Sequence, residues 1–156
     1  MKRETKTFFF YLLCAILIFS CAACHLGGKT TAKLVSVSAE RVVMSIQETD
    51  GEANAFNALE SLQEQGKITF EFMDSTYGAY ITSINGKAET VISSTLNSSE
   101  GYTWSFYTSD MEYAYGDPSI EIDGRVCGLS SLGASSLIVK EGELYVWVYE
   151  YYSYVW

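Results

Sequence analysis

Residues 144–149 read LYVWVY, and the alternation within them decides the class of fold. At period two, Tyr145, Trp147 and Tyr149 fall on one face and Leu144, Val146 and Val148 on the other. A second aromatic run, residues 102–108 (YTWSFYT), places Tyr102, Trp104 and Phe106 together, with Tyr107 opposite. Residues 67–72 (KITFEF) alternate in the same way, with Ile68, Phe70 and Phe72 sharing a side. Turn chemistry separates these runs. Asn85-Gly86 signals a type I′ hairpin after residues 79–84, with Val91-Ile92 as the expected return strand. Asp123-Gly124 divides residues 120–122 from 125–127, and Glu141-Gly142 leads into the final strand. Residues 34–37, 41–46 and 137–139 add further short strands, and residues 150–156 (EYYSYVW) either continue the last strand or pack as a tail.

One segment reads differently. In residues 54–65, Ala55, Ala58, Leu59 and Leu62 recur at helical spacing behind Asn54, an N-cap residue, and Gly66 follows as the stop. Asn57, Glu60, Ser61 and Glu64 make its other side polar, so the helix should lie on a sheet with one face. One helix among seven or eight strands predicts an α+β plan, with the main helix packed on one sheet face.

The chain begins with Lys2, Arg3 and Lys6, an apolar run at residues 8–19, and Ser20-Cys21. That is the order of parts in a secretory signal, and it resembles the bacterial lipoprotein version. Twelve apolar residues fall short of the roughly 20 that a spanning helix needs. Ile18-Phe19-Ser20-Cys21 is aliphatic at minus three and small at minus one, so Cys21 is the candidate lipidated residue; Cys24, with Cys21 at minus three, fits less well. The expected organisation is a signal peptide at 1–20, a lipidated cysteine and tether at 21–33, and one domain at 34–156. Localisation is then outside the cytoplasm, held to the membrane through the lipid only.

The full chain carries a net charge of −9. Without residues 1–20 it retains seven Lys and Arg against eighteen Asp and Glu. Such acidity argues against nucleic acid and against an anionic membrane surface as partners. Of the four cysteines only Cys127 lies in the domain, and the single histidine, His25, lies in the tether. An intradomain disulfide, a Cys/His zinc site, and Ser-His-Asp or Cys-His catalysis within the domain are therefore excluded. The acidic stretch with Asp110, Glu112, Asp117, Glu121 and Asp123 offers oxygen ligands of the calcium type, yet lacks the EF-hand register and reads as a solvated loop. No metal site and no enzymatic activity are expected.

Three segments in order, TYGAYITSING (76–86), GYTWSFYTSD (101–110) and LIVKEGELYVWVY (137–149), resemble the transcobalamin-like C-terminal domain of bacterial lipoproteins. Ala58-Leu59 matches that family's helix pair, and the likeness covers roughly residues 41–149. The resemblance implies a β-grasp-like fold, a mixed sheet holding one main helix, and a cobalamin-type ligand. The eukaryotic carriers that share the family's name pair such a domain with a larger helical one, for which these residues show no counterpart; the chain also departs from many members in reading Ser109-Asp110 after the tryptophan strand, in a long insertion at 111–136 and in Gly142-Glu143 at the closing turn.

The aromatic strands supply the candidate binding residues: Tyr77, Tyr80, Trp104, Tyr107 and Trp147. Displayed rings stack on planar ligands, sugars or peptides; enclosed rings would simply fill a core. The expected function is non-catalytic binding, either capture of a small corrinoid-like molecule or adhesion to a protein or glycan. An aromatic pocket would point to capture. A closed, ring-filled core without a pocket would point to adhesion, which calls for a flat exposed aromatic face or a free edge strand.

Overall fold

The computed structural model describes residues 28–76 and 78–156. Over these, ten strands form two sheets beside a single ten-residue helix. The larger sheet holds β1 (Thr30–Val37), β2 (Arg41–Thr49), β6 (Thr90–Ser94), β7 (Ser98–Thr108), β8 (Ala114–Ile122), β9 (Arg125–Ser130) and β10 (Leu144–Val155). Their order is β1-β2-β10-β7-β9-β8, with β6 pairing on β7. The smaller sheet is β3 (Phe70–Ser75), β4 (Gly78–Ile84) and β5 (Lys87–Ala88).

The expected α+β, β-grasp-like plan is corrected by these findings. Every strand pair among the described residues is antiparallel, so the sheets are not mixed. The helix, α1 (Ala55–Glu64), is one small element on a molecule that is mostly β. The reason lies in strand length. Ser, Thr and Tyr carry the ladders beyond their apolar centres, so β7 and β10 run 11 and 12 residues. Short hairpin connections then favour antiparallel neighbours, because a parallel pair needs a long crossover.

Local signals fared better. Asn54 caps α1 with a full capping box: its side chain accepts from the Asn57 amide at 2.9 Å, and Asn57 accepts from the Asn54 amide at 3.1 Å. Asn85 and Gly86 both have positive φ, as the I′ hairpin between β4 and β5 requires. The return strand there is β5, however; Val91 and Ile92 belong to β6 and pair with β7. Asp123 and Gly124 turn β8 into β9 in the same manner. The first strand starts at Thr30, inside the stretch read as tether.

Two cores result. On one face of the large sheet, Val42, Met44, Tyr145 and Trp147 meet Phe56, Leu59 and Leu62 of α1 and Ile81 and Ile84 of β4. On the other, Val43, Tyr107 and Val146 meet Ile122 and Cys127 from the β8–β9 hairpin. The odd–even split of residues 144–148 thus feeds both, and each fully enclosed aliphatic or aromatic side chain contributes about 1.5–3 kcal/mol.

Candidate functional site

The four candidate binding residues that the structure describes do not converge. Trp147 is 1% exposed and stacks on Phe106. Trp104 is 5% exposed, and its indole N–H donates to the Lys87 carbonyl at 2.8 Å. Tyr107 is buried on the opposite face, where its hydroxyl donates to both carboxylate oxygens of Glu150, at 3.0 and 3.1 Å. Burial, reinforced by that carboxylate, pushes the Tyr107 phenol well above its usual range. Of these four only Tyr80 is at the surface, its hydroxyl 2.8 Å from Glu89 Oε2 and 2.6 Å from Thr103 Oγ1. Loss of hydration, opposed by Thr103 and aided by Glu89, pushes Tyr80 up to about 12. Tyr77 and Cys21 lie outside the described residues.

Hollow space lies elsewhere. A groove of about 760 Å³ opens between the β1–β2 end and α1, lined by Lys29, Thr31, Glu48, Asp50, Asn57 and Glu60 among others. No aromatic ring lines it. Its carboxylates serve the fold: Asp50 accepts the backbone N–H groups of Lys29, Glu52 and Ala53, which hold it below the usual carboxylate range. Glu60 accepts from the Asn57 side chain.

The densest charged cluster is structural as well. Lys140 Nζ sits 2.8 Å from both Asp110 Oδ2 and Glu112 Oε2, tying the loop after β7 to the segment before β10. These two carboxylates hold the Lys140 ammonium above its ordinary value. Burial pushes the Cys127 thiol up, away from a reactive thiolate. Among the described residues no group of three or more His, Cys, Asp or Glu could hold a metal ion. Nor, among them, is any helix long and apolar enough to cross a membrane.

What the molecule displays is a ribbon. β10 leaves β2 after the Val148–Arg41 pair but stays on β7 without a break to Val155–Ser98. β6 joins the other side of β7 opposite Tyr102–Ser99. The three strands therefore run past the core, and the alternation that buried Trp147 now exposes Tyr151 at 51%. Tyr102 lies parallel to Tyr149 with centroids 5.6 Å apart, and Tyr151 sets its edge against Tyr102. Tyr152 stacks on Tyr154 at 5.3 Å. Gly101 lets the strands close in, since a Cβ there would stand 2.0 Å from the Thr90 carbonyl oxygen and 3.1 Å from the Tyr152 ring. Val91 is 60% exposed, and Ile92 and Trp156 are also displayed. The tip is closed by Trp156, whose amide and indole N–H donate to the Asn97 and Leu96 carbonyls. Sequence reasoning stopped its ring row at Tyr149; the signal that extends it is the same alternation carried through EYYSYVW.

No family model matches the chain, and neither a curated protein nor a solved structure matches it. The transcobalamin-like resemblance therefore gains no support from these comparisons.

Proposed function

We propose that this chain is an exported, lipid-tethered interaction module that binds a protein partner on the β6–β7–β10 ribbon and performs no catalysis. The observation that carries this reading is the division of the aromatic rows. Their inner halves fill a core, while beyond it Tyr102 and Tyr151 are displayed on one face of the ribbon and Tyr154 and Val91 on the other, where β2 no longer pairs with β10. Mixed aliphatic and aromatic exposure suits a protein surface better than a sugar, which stacks on ring faces alone. Corrinoid capture calls for rings around a hollow; Trp104 and Trp147 are walled in, and no ring lines the groove beside α1. Export and a lipid on Cys21 rest on the order of charges, apolar run and cysteine at the N-terminus.

Photo-crosslinking tests the reading. Benzoylphenylalanine placed at Tyr154 on producing cells should yield a discrete adduct with another protein, and the same group at exposed Glu64 should not. A ribbon position that gives no adduct, or gives the same adducts as Glu64, contradicts it.

A further inference from the structure

We propose that the outer edge of β6 accepts an extended, positively charged segment of the partner as an added antiparallel strand. This rests on the ribbon reading above and names where on the ribbon the partner sits and what its chemistry is. A sheet edge offers unpaired N–H and C=O groups to any passing strand, so exposed edges are ordinarily covered, charged or interrupted by proline.

Among the described residues the edges of β1, β3, β8 and β5 are managed in those ways, while the side of β10 beyond the Val148–Arg41 pair is open and carries Glu150. On β1, the Ala32 N–H donates to Ser61 Oγ and the Ala32 carbonyl accepts from Gln65 Nε2, so α1 covers it. β3 carries Glu71 and Asp74, and its first amide, on Phe70, donates to Gln63. β8 carries Asp117, Pro118 and Glu121. β5 is two residues long and bears Lys87. β6 (TVISS) has no charge, no proline and no cover, and is interrupted only by the register shift between Val91 and Ser93; its only strand partner among the described residues is β7. Val91 and Ile92 are both exposed there. Main-chain pairing would supply the attachment and alternate side chains the selectivity.

Charge selects the occupant. Glu89 precedes β6, and Glu100 lies beside it on β7, paired with Ser93. Their carboxylates accept from tyrosine hydroxyls, Tyr80 to Glu89 and Tyr151 to Glu100. The ion pairs found among the described residues use Glu40, Asp110, Glu112 and Glu143 instead. A Lys or Arg on the incoming strand would meet these two carboxylates, which hold tyrosine hydroxyls but no cation among the described residues. A second copy of this chain would bring the same acidic rim, and two such edges repel.

The test is selection of a random decapeptide library on the full chain held in detergent, followed by amide exchange with the most enriched synthetic peptide. Net-positive peptides with alternating β-branched residues are expected, with binding that weakens as salt rises. The bound peptide should slow outward amides among Thr90–Ser94 by about tenfold or more. Ile92 sits at the register shift between Val91 and Ser93. Proline at the β6 position whose amide the peptide slows most should weaken binding about tenfold, and threonine there, which keeps the N–H, about twofold at most. Exchange on the unsubstituted chain decides the matter if the proline variant does not fold. Slowing confined to residues around Tyr102 and Tyr151, or enrichment of acidic peptides, overturns strand addition and leaves the ribbon reading standing. No enrichment, or slowing away from the ribbon, overturns both.

Discussion

Trp147 lies flat on Phe106 across the β7–β10 ladder, ring centroids 4.4 Å apart and planes 19° apart. Four residues further along the same face of β10, Tyr151 meets Tyr102 edge-on in the open. One alternating pattern thus serves packing at one end and display at the other. Trp147→Ala should cost about 3–5 kcal/mol in denaturant unfolding, the range for emptying an enclosed aromatic site. Tyr151→Ala should cost about 1 kcal/mol or less, because its ring lies half in solvent and forfeits only part of a cross-strand pair. Equal losses at the two positions would contradict the division.

Asn54 holds more than the start of α1. Besides the capping box, its side-chain amide donates to the Ser135 carbonyl at 3.0 Å, tying the helix to the segment ahead of Leu137. Asn54→Ala should therefore lower stability by about 1–2 kcal/mol, the upper half of the range for a lost cap. Asn54→Asp keeps the acceptor while losing the donor, and should fall between the two.

Tyr145 couples the main core to pH. It is fully buried, its hydroxyl accepts the Lys140 amide at 2.8 Å, and burial pushes its phenol up to about 12, with Asp110 adding to the rise. A phenol raised above its unfolded value stabilises the fold fully below about pH 10, and that contribution is lost as pH climbs through about 12. Two pKa units correspond to about 3 kcal/mol. Unfolding measured from pH 9 to 12 should show stability falling, and the fall should be shallower in Tyr145→Phe.

Lys140 reconciles two carboxylates of unlike burial: Asp110 is enclosed and Glu112 is open to solvent. Lys140→Ala should lower the melting temperature more than Glu112→Ala, since it strands the Asp110 carboxylate in an enclosed site. Added salt should barely change the Lys140→Ala penalty but should weaken the already small Glu112 effect.

The parts of the fold legible in the sequence were those set by a few residues in contact with one another. The Asn54 cap, the Asn85-Gly86 and Asp123-Gly124 turns and the two faces of residues 144–149 all follow from local chemistry. The all-antiparallel plan did not, because Ser98–Gly101 and Tyr152–Val155 form strands through pairing with each other and carry almost no aliphatic signal of their own. Val91-Ile92 was assigned to the wrong hairpin for the same reason: β5 is too short to announce itself. At the candidate site, Tyr80 is exposed, whereas Trp104, Tyr107 and Trp147 are core residues. Ring alternation tells which side a residue faces and not whether that side is covered.

Whether the tryptophans are core or contact can be read from acrylamide quenching of the Trp156→Phe chain, which leaves only Trp104 and Trp147 to emit. With both enclosed, emission should be blue-shifted and nearly unquenched, and it should stay so when selected peptides occupy the ribbon. Emission quenched as readily as that of free tryptophan would put those indoles at an open binding face, and the ribbon would lose its claim to be where this molecule meets its partner.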